Sequence, residues 1–142
     1  MCDTNVLVRA ILTPQGAAAE LLERLAQGHL LVTSAYQLTE LLDVLRRPRI
    51  RALHRRDERG IRRAIGRIYK LSAVVLLPAD LPPVVPDDPK DDPIVMTAVT
   101  GQAEVLCTRD KHLHHVDVMN FCAGHGLRVL NDLDLLAELR AG

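Results

Sequence analysis

Aromatic residues are almost missing from this chain of 142 residues: there is no Trp, and Tyr36, Tyr69 and Phe121 are the whole set. Base stacking on an aromatic platform is therefore a poor candidate mode of nucleic-acid recognition, and the core has to come from Leu, Val, Ile and Ala. Cysteine is scarce too. Cys2, Cys107 and Cys122 are odd in number and lack CxxC spacing, which argues against a disulfide framework and leaves a zinc site short of ligands. No apolar run approaches the roughly 20 residues of a membrane span, and no basic stretch leads into an apolar one at the start. GxSxG, GxGxxG and P-loop patterns are absent, which weakens serine-hydrolase, dinucleotide and nucleotide-phosphate readings. These absences point to a reduced, cytoplasmic protein with no membrane partner. What is present, 48% hydrophobic and 25% charged residues, is ordinary for a folded chain and excludes a disordered or low-complexity one. The length suits a single domain over residues 1–142.

Eighteen basic residues balance eighteen acids, but they are segregated. Residues 46–70 hold eleven Arg or Lys against Asp57 and Glu58, while the rest of the chain is acidic. Such a segment either attracts a phosphate backbone or is simply a solvated helical surface; charge alone leaves both open.

Apolar runs alternate with helical periodicity. DTNVLVRAIL reads as a short buried strand entering a turn at residues 13–16. Ala18, Leu21, Leu22 and Leu25 place a helix over 17–27, ended by Gly28. Leu30–Val32 suggests a strand. Ser34 is a suitable N-cap for a helix with the stripe Leu38, Leu41, Leu42 and Leu45, which Pro48 stops. A helix over 57–71 turns Ile61, Ile65 and Ile68 inward. Strands follow at 73–77, 104–108 and 127–130, with helices at 92–101 and from Asn131 to Arg140. This alternation predicts an α/β fold, a three-layer α/β/α sandwich on a mainly parallel sheet.

In such folds, sites gather beyond the carboxyl ends of the strands. Acids recur at those places: Asp3, Glu40 on the polar side of its helix, Asp91 and Asp92 at a helix start, and Asp110 after EVLCT. Converging carboxylates repel, and hard cations such as Mg²⁺ or Mn²⁺ relieve that repulsion while supporting phosphodiester hydrolysis. Each acid also has a plain reading: Asp3 as a turn cap, Glu40 as a solvated helix residue, Asp92 before Pro93 as an N-cap, Asp110 as a loop residue.

Four ordered segments carry a resemblance. DTNVLVRAIL, SAYQLTELLDVLRRPRI, DDPKDDPIVMTAV and AEVLCTRDKHLHHV resemble the motifs of the PIN domains, in particular the VapC-like toxin ribonucleases. The resemblance implies a metal-dependent endoribonuclease that cuts single-stranded or looped RNA with a metal-bound water. Asp3, Glu40, Asp91 and Asp110 match the acidic quartet that holds one or two Mg²⁺ or Mn²⁺ ions. Asn5 and Thr108 match supporting polar positions, and Asp92 is left to cap its helix. The resemblance further implies a cognate antitoxin and a homodimer. Arg46, Arg47, Arg49 and Arg51, in the basic segment, are the candidate RNA contacts; the same segment suits an acidic stretch of an antitoxin. Relatives carry several apolar residues ahead of the first acid, as a central strand. Here Met1 and Cys2 precede Asp3, so either that strand is shortened or the chain starts further upstream.

His112, His114 and His115, with Asp117, suit either a transition-metal site or a surface loop with one His near substrate. Two rival functions remain beside the toxin nuclease. One is a PIN fold that binds RNA or protein without cutting. The other is a nuclease of RNA processing with no toxin role.

Overall fold

The computed structural model describes residues 1–142. After an extended Met1–Asp3, the elements in chain order are α1 (Thr4–Leu12), α2 (Ala17–Gly28), β1 (Leu31–Ser34), α3 (Ala35–Arg46), α4 (Pro48–His54), α5 (Glu58–Lys70) and β2 (Ser72–Val75). A 3₁₀ turn at Pro89–Asp91 then leads into α6 (Asp92–Thr100), β3 (Val105–Cys107), α7 (Val116–Ala123), β4 (Arg128–Leu130) and α8 (Asp132–Ala141).

The opening apolar run is a helix, not the expected strand. Asp3 sits in extended backbone, and its carboxylate accepts the Thr4 N–H at 2.7 Å, capping α1. Val6, Leu7, Val8 and Ala10 then enter the core. A short β-branched run fits strand and buried helix equally by periodicity; the cap decides. Two further helices depart from expectation. Pro48 does end α3, but it also opens α4 as its first residue, where a missing N–H costs nothing. In α7, a helix the pattern did not reveal, His115 is the N-cap and accepts the Asp117 N–H.

All strand pairing is parallel, in two small two-stranded sheets. Leu31 to Ser34 lie opposite Ser72 to Val75, and Val105 to Cys107 lie opposite Arg128 to Leu130. Met1–Asp3 lies along the free side of β3: Cys2 pairs with Cys107, the Cys107 N–H donates to the Met1 carbonyl, and the Asp3 N–H donates to the Cys107 carbonyl, both at 2.8 Å. No ladder joins Met1–Asp3 to β1. The Cys2 carbonyl, facing β1, takes its hydrogen bond from Gln37 Nε2 at 2.6 Å, and Thr33 donates to Gln37 Oε1 at 2.6 Å. A buried glutamine thus stands in for strand pairing, and the continuous sheet expected from the sequence is divided at that point.

Two apolar clusters flank the sheets. One packs α1, α2, α3, α5 and α8 through Val6, Leu21, Leu41, Leu45, Ile61 and Leu136. The other packs α6 and α7 on β3 and β4 through Ile94, Val95, Leu106, Val118 and Leu127. The expected stripe of α3 is turned slightly: Gln37 and Val44 are buried with Leu41 and Leu45, while Leu38 and Leu42 are half-buried.

Candidate functional site

The acids converge beyond the carboxyl ends of Met1–Asp3, β1 and β3. Thr108, fully buried one residue after β3, organises two of them. Its hydroxyl donates to Asp3 Oδ2 at 2.8 Å and accepts the Asp110 N–H at 3.0 Å. The motif resemblance places Thr108 as a support for the acids, and its hydroxyl bridges Asp3 and the Asp110 backbone here. Asp110 Oδ1 accepts the His112 N–H at 2.9 Å, which curls the segment after β3 into a tight turn. Asn5 is different: it is exposed on the first turn of α1, and its side chain makes no hydrogen bond to any of the acids.

Asp91 occupies the N-cap position of α6 but makes no capping bond. Its carboxyl is pushed up to about 8 by burial first, then by the charges of Asp110 and Asp88 and a hydrogen bond shared with Asp110. Burial also raises Asp3, opposed by the hydrogen bonds from Thr108 and Thr4 and assisted by the charges of Glu40 and Asp110. Tyr36 is raised by burial and then by Glu40, Asp91 and Asp88. Its hydroxyl donates to the Lys90 carbonyl at 3.0 Å, tying the start of α3 to the loop that carries Asp91. Asp3 thus lies within reach of the charges of Glu40 and Asp110, and Asp91 within reach of those of Asp110 and Asp3, although the four come from separate segments.

Asp92 does not cap α6 as expected. It is the first residue of the helix, and its Oδ1 accepts the N–H groups of Val84 and Val85 at 3.0 and 2.7 Å. A buried carboxylate with two amide donors anchors the long proline-rich loop and so sets the position of Asp91. Sequence reading missed Gln37 and Asp88. Nothing in the pattern of α3 marks a polar residue as buried, and Asp88 is one of several acids in the same loop.

The donor chemistry suits a hard divalent cation: all four groups are carboxylates, and Asp91 Oδ2 is buried without a hydrogen-bond partner. As the side chains lie, no three His, Cys, Asp or Glu groups are set closely enough to hold an ion. The histidines have structural partners instead. His114 Nε2 lies 2.7 Å from the Thr108 carbonyl, His112 bonds Asp110 through its backbone, and His115 caps α7.

Of the candidate RNA contacts, Arg46 is committed to a double-pronged pair with Glu58. Arg47, Arg49 and Arg51 are exposed and form no ion pair. Arg47 lines an open cavity of 430 Å³ together with Tyr36, Glu40 and Asp43, so the basic segment begins at the rim of the acidic cluster.

A family model described as PIN domain matches residues 1–112, a span that contains all four acids. The chain belongs to the PIN-domain family, a nuclease-type fold whose members generally hydrolyse nucleic acid and typically use divalent metals. Comparison with curated proteins and with solved structures finds no match.

Proposed function

We propose that this protein is a metal-dependent endoribonuclease and the toxin component of a type II toxin–antitoxin pair. The observation that carries the nuclease reading is a buried, unpartnered Asp91 oxygen beside the charges of Asp110 and Asp3, with Glu40 in turn acting on Asp3. Asp3, Glu40, Asp91 and Asp110 would hold Mg²⁺ or Mn²⁺. A bound divalent ion supplies a more acidic water and charge stabilisation for the departing oxygen. The chain's own residues do the rest. Thr108 holds Asp3 and the Asp110 backbone in register, Asp92 fixes the loop that presents Asp91, and Arg47, Arg49 and Arg51 guide the RNA phosphates toward the cluster. The toxin role, a cognate antitoxin and a homodimer are supported by the motif resemblance.

A second reading, a PIN fold that binds RNA without cutting it, is favoured by one observation: no three donors stand at ion-holding distance. Incubation of single-stranded RNA with the protein and Mg²⁺ or Mn²⁺ separates the two. The nuclease reading expects cleavage that EDTA abolishes and that Asp91→Asn and Asp110→Asn reduce by roughly 100-fold or more, since even outer partners of metal ligands are worth about 10- to 100-fold. RNA binding without cleavage supports the second reading. Equal cutting by wild type and both variants contradicts the site.

A further inference from the structure

The face of α3 that carries Glu40 holds a pattern that metal binding does not use. Tyr36, Glu40, Asp43 and Arg47 follow one another at intervals of four, three and four residues, so they form a single ridge from the first turn of α3 to its C-cap. All four line the open cavity of 430 Å³ at the rim of the acidic cluster. That volume lies within the range of small-ligand sites, about 300–1,000 Å³.

The groups along the ridge are in different states. Tyr36 is anchored at its tip, because its hydroxyl donates to the Lys90 carbonyl, yet the residue is 39% exposed. It therefore offers a ring of fixed orientation to whatever enters the cavity. Arg47 is exposed and unpaired at the other end. Asp43, between them, is exposed and takes part in no ion pair or side-chain hydrogen bond, and the nearby Arg46 is already committed to Glu58. An unpaired carboxylate at the start of a basic segment repels a passing phosphate. It favours binding only where the ligand brings hydrogen-bond donors to it.

A carboxylate is an acceptor only, through two oxygens side by side. Among the RNA bases, guanine alone presents two adjacent donors, N1–H and the 2-amino group, on the Watson–Crick edge that a single strand leaves open. Adenine and cytosine set an amino donor beside a ring-nitrogen acceptor, and uracil sets its N–H between two carbonyls. Each of those three turns a lone pair toward one of the carboxylate oxygens. We propose that the cavity is a guanine subsite of the RNA path. Asp43 accepts N1–H and the 2-amino group, the Tyr36 ring gives the base a flat contact, and Arg47 holds an adjoining phosphate. One ring suffices for one base, whereas a platform for a run of bases needs several. Asp43 selects by repulsion as well as attraction, since it disfavours every base that meets it with an acceptor. The inference rests on the nuclease reading for RNA as the ligand, and Glu40, shared by the cavity and the acidic cluster, places the subsite next to the cut.

The test reads binding, separately from cutting. Fluorescence anisotropy is measured with labelled hexauridine and with hexamers in which one central uridine is replaced by guanosine, inosine or adenosine. Ca²⁺ is the divalent ion, and the length of the RNA is checked on a gel. The full chain is expected to bind the guanosine hexamer at least about tenfold more tightly than the adenosine hexamer or hexauridine. Inosine, which keeps N1–H but lacks the 2-amino group, is expected to fall between. Asp43→Asn, which exchanges one acceptor for a donor, and Asp43→Ala are expected to remove the preference. Asp43→Ala should bind hexauridine at least as tightly as wild type, because a repelling charge is gone; damage to the fold would instead weaken every RNA alike. Equal affinity of wild type for all four RNAs, or the same guanosine preference in both variants, overturns the subsite and leaves the nuclease reading to its own cleavage test. Failure of wild type to bind any of the four overturns both.

Discussion

Thr108 and Gln37 show how single polar side chains shape this molecule. Thr108 spends its one hydroxyl on Asp3 and Asp110 together, and Gln37 satisfies the carbonyl of Cys2 that faces away from β3. Asp91 has the opposite character, being half-buried and short of partners. Its raised value has a thermodynamic sign. An unfolded aspartate releases its proton near pH 3.9, roughly, whereas in the folded chain Asp91 releases it at about 8. Between those values the folded state binds more protons than the unfolded one, so stability falls as pH rises and levels off above the folded value. Asp3, also raised, works in the same direction. Asp132 works in the other: burial opposes it, but Arg109 at 2.5 Å and Arg9 hold it below the usual range, and its contribution is lost only in acid. For the metal-free protein, urea unfolding should give lower stability near pH 8 than near pH 5, roughly. Asp91→Asn should flatten that decline and be the more stable chain at the alkaline end. An unchanged slope in Asp91→Asn would assign the decline to another group. At this scale Thr108 and Asp110 were legible because they follow an apolar run, and Asp91 because it stands before a predicted helix, while Asp3 was legible from the motif resemblance. Gln37 was not, because its burial depends on where the Cys2 carbonyl lies in space.

Elements were readable wherever a cap or stripe was unambiguous. Ser34 accepts the expected backbone N–H at the start of α3 and Asn131 that at the start of α8, while Asp57 caps α5 without having been singled out. The first segment misled because its residues suit either state and the choice rests on the Asp3 carboxylate. The α7 helix was hidden because its cap is a histidine. One close approach was also invisible in the sequence. Gly101 follows α6 with φ of −79°, a backbone any residue adopts. An added Cβ, however, would lie 2.3 Å from Val32 Cγ1 and 3.2 Å from the Thr97 carbonyl. Gly101→Ala should therefore force α6 away from β1 and cost about 1–3 kcal/mol, read as a lower denaturation midpoint with unchanged slope. Restoring room with Val32→Ala in the same chain should recover part of the loss. A neutral Gly101→Ala would mean that α6 and β1 are less tightly seated than they are here.

Across the whole molecule, charge is arranged as an acidic centre beside a basic flank. The segregation was plain in the sequence, but which arginines are free was not, because the Arg46–Glu58 pair joins the end of α3 to the start of α5 across the intervening α4. Replacing Arg47, Arg49 and Arg51 together by Ala should weaken single-stranded RNA binding and reduce the slope of log affinity against log salt by about two. Arg46→Ala should change that slope less, because its charge is already matched. Fluorescence anisotropy with labelled RNA over a salt series measures both; equal slopes for the triple variant and wild type would remove α4 from the RNA path.

The convergence of four separated carboxylates on one divalent ion is tested most directly by titrating the metal-free protein with Mn²⁺ and following the free ion by electron paramagnetic resonance. Wild type should bind one or two Mn²⁺, Mg²⁺ should compete, and Asp91→Asn and Asp110→Asn should each weaken binding by roughly tenfold or more. Binding of the same strength in wild type and both variants, or no saturable binding at all, would contradict it.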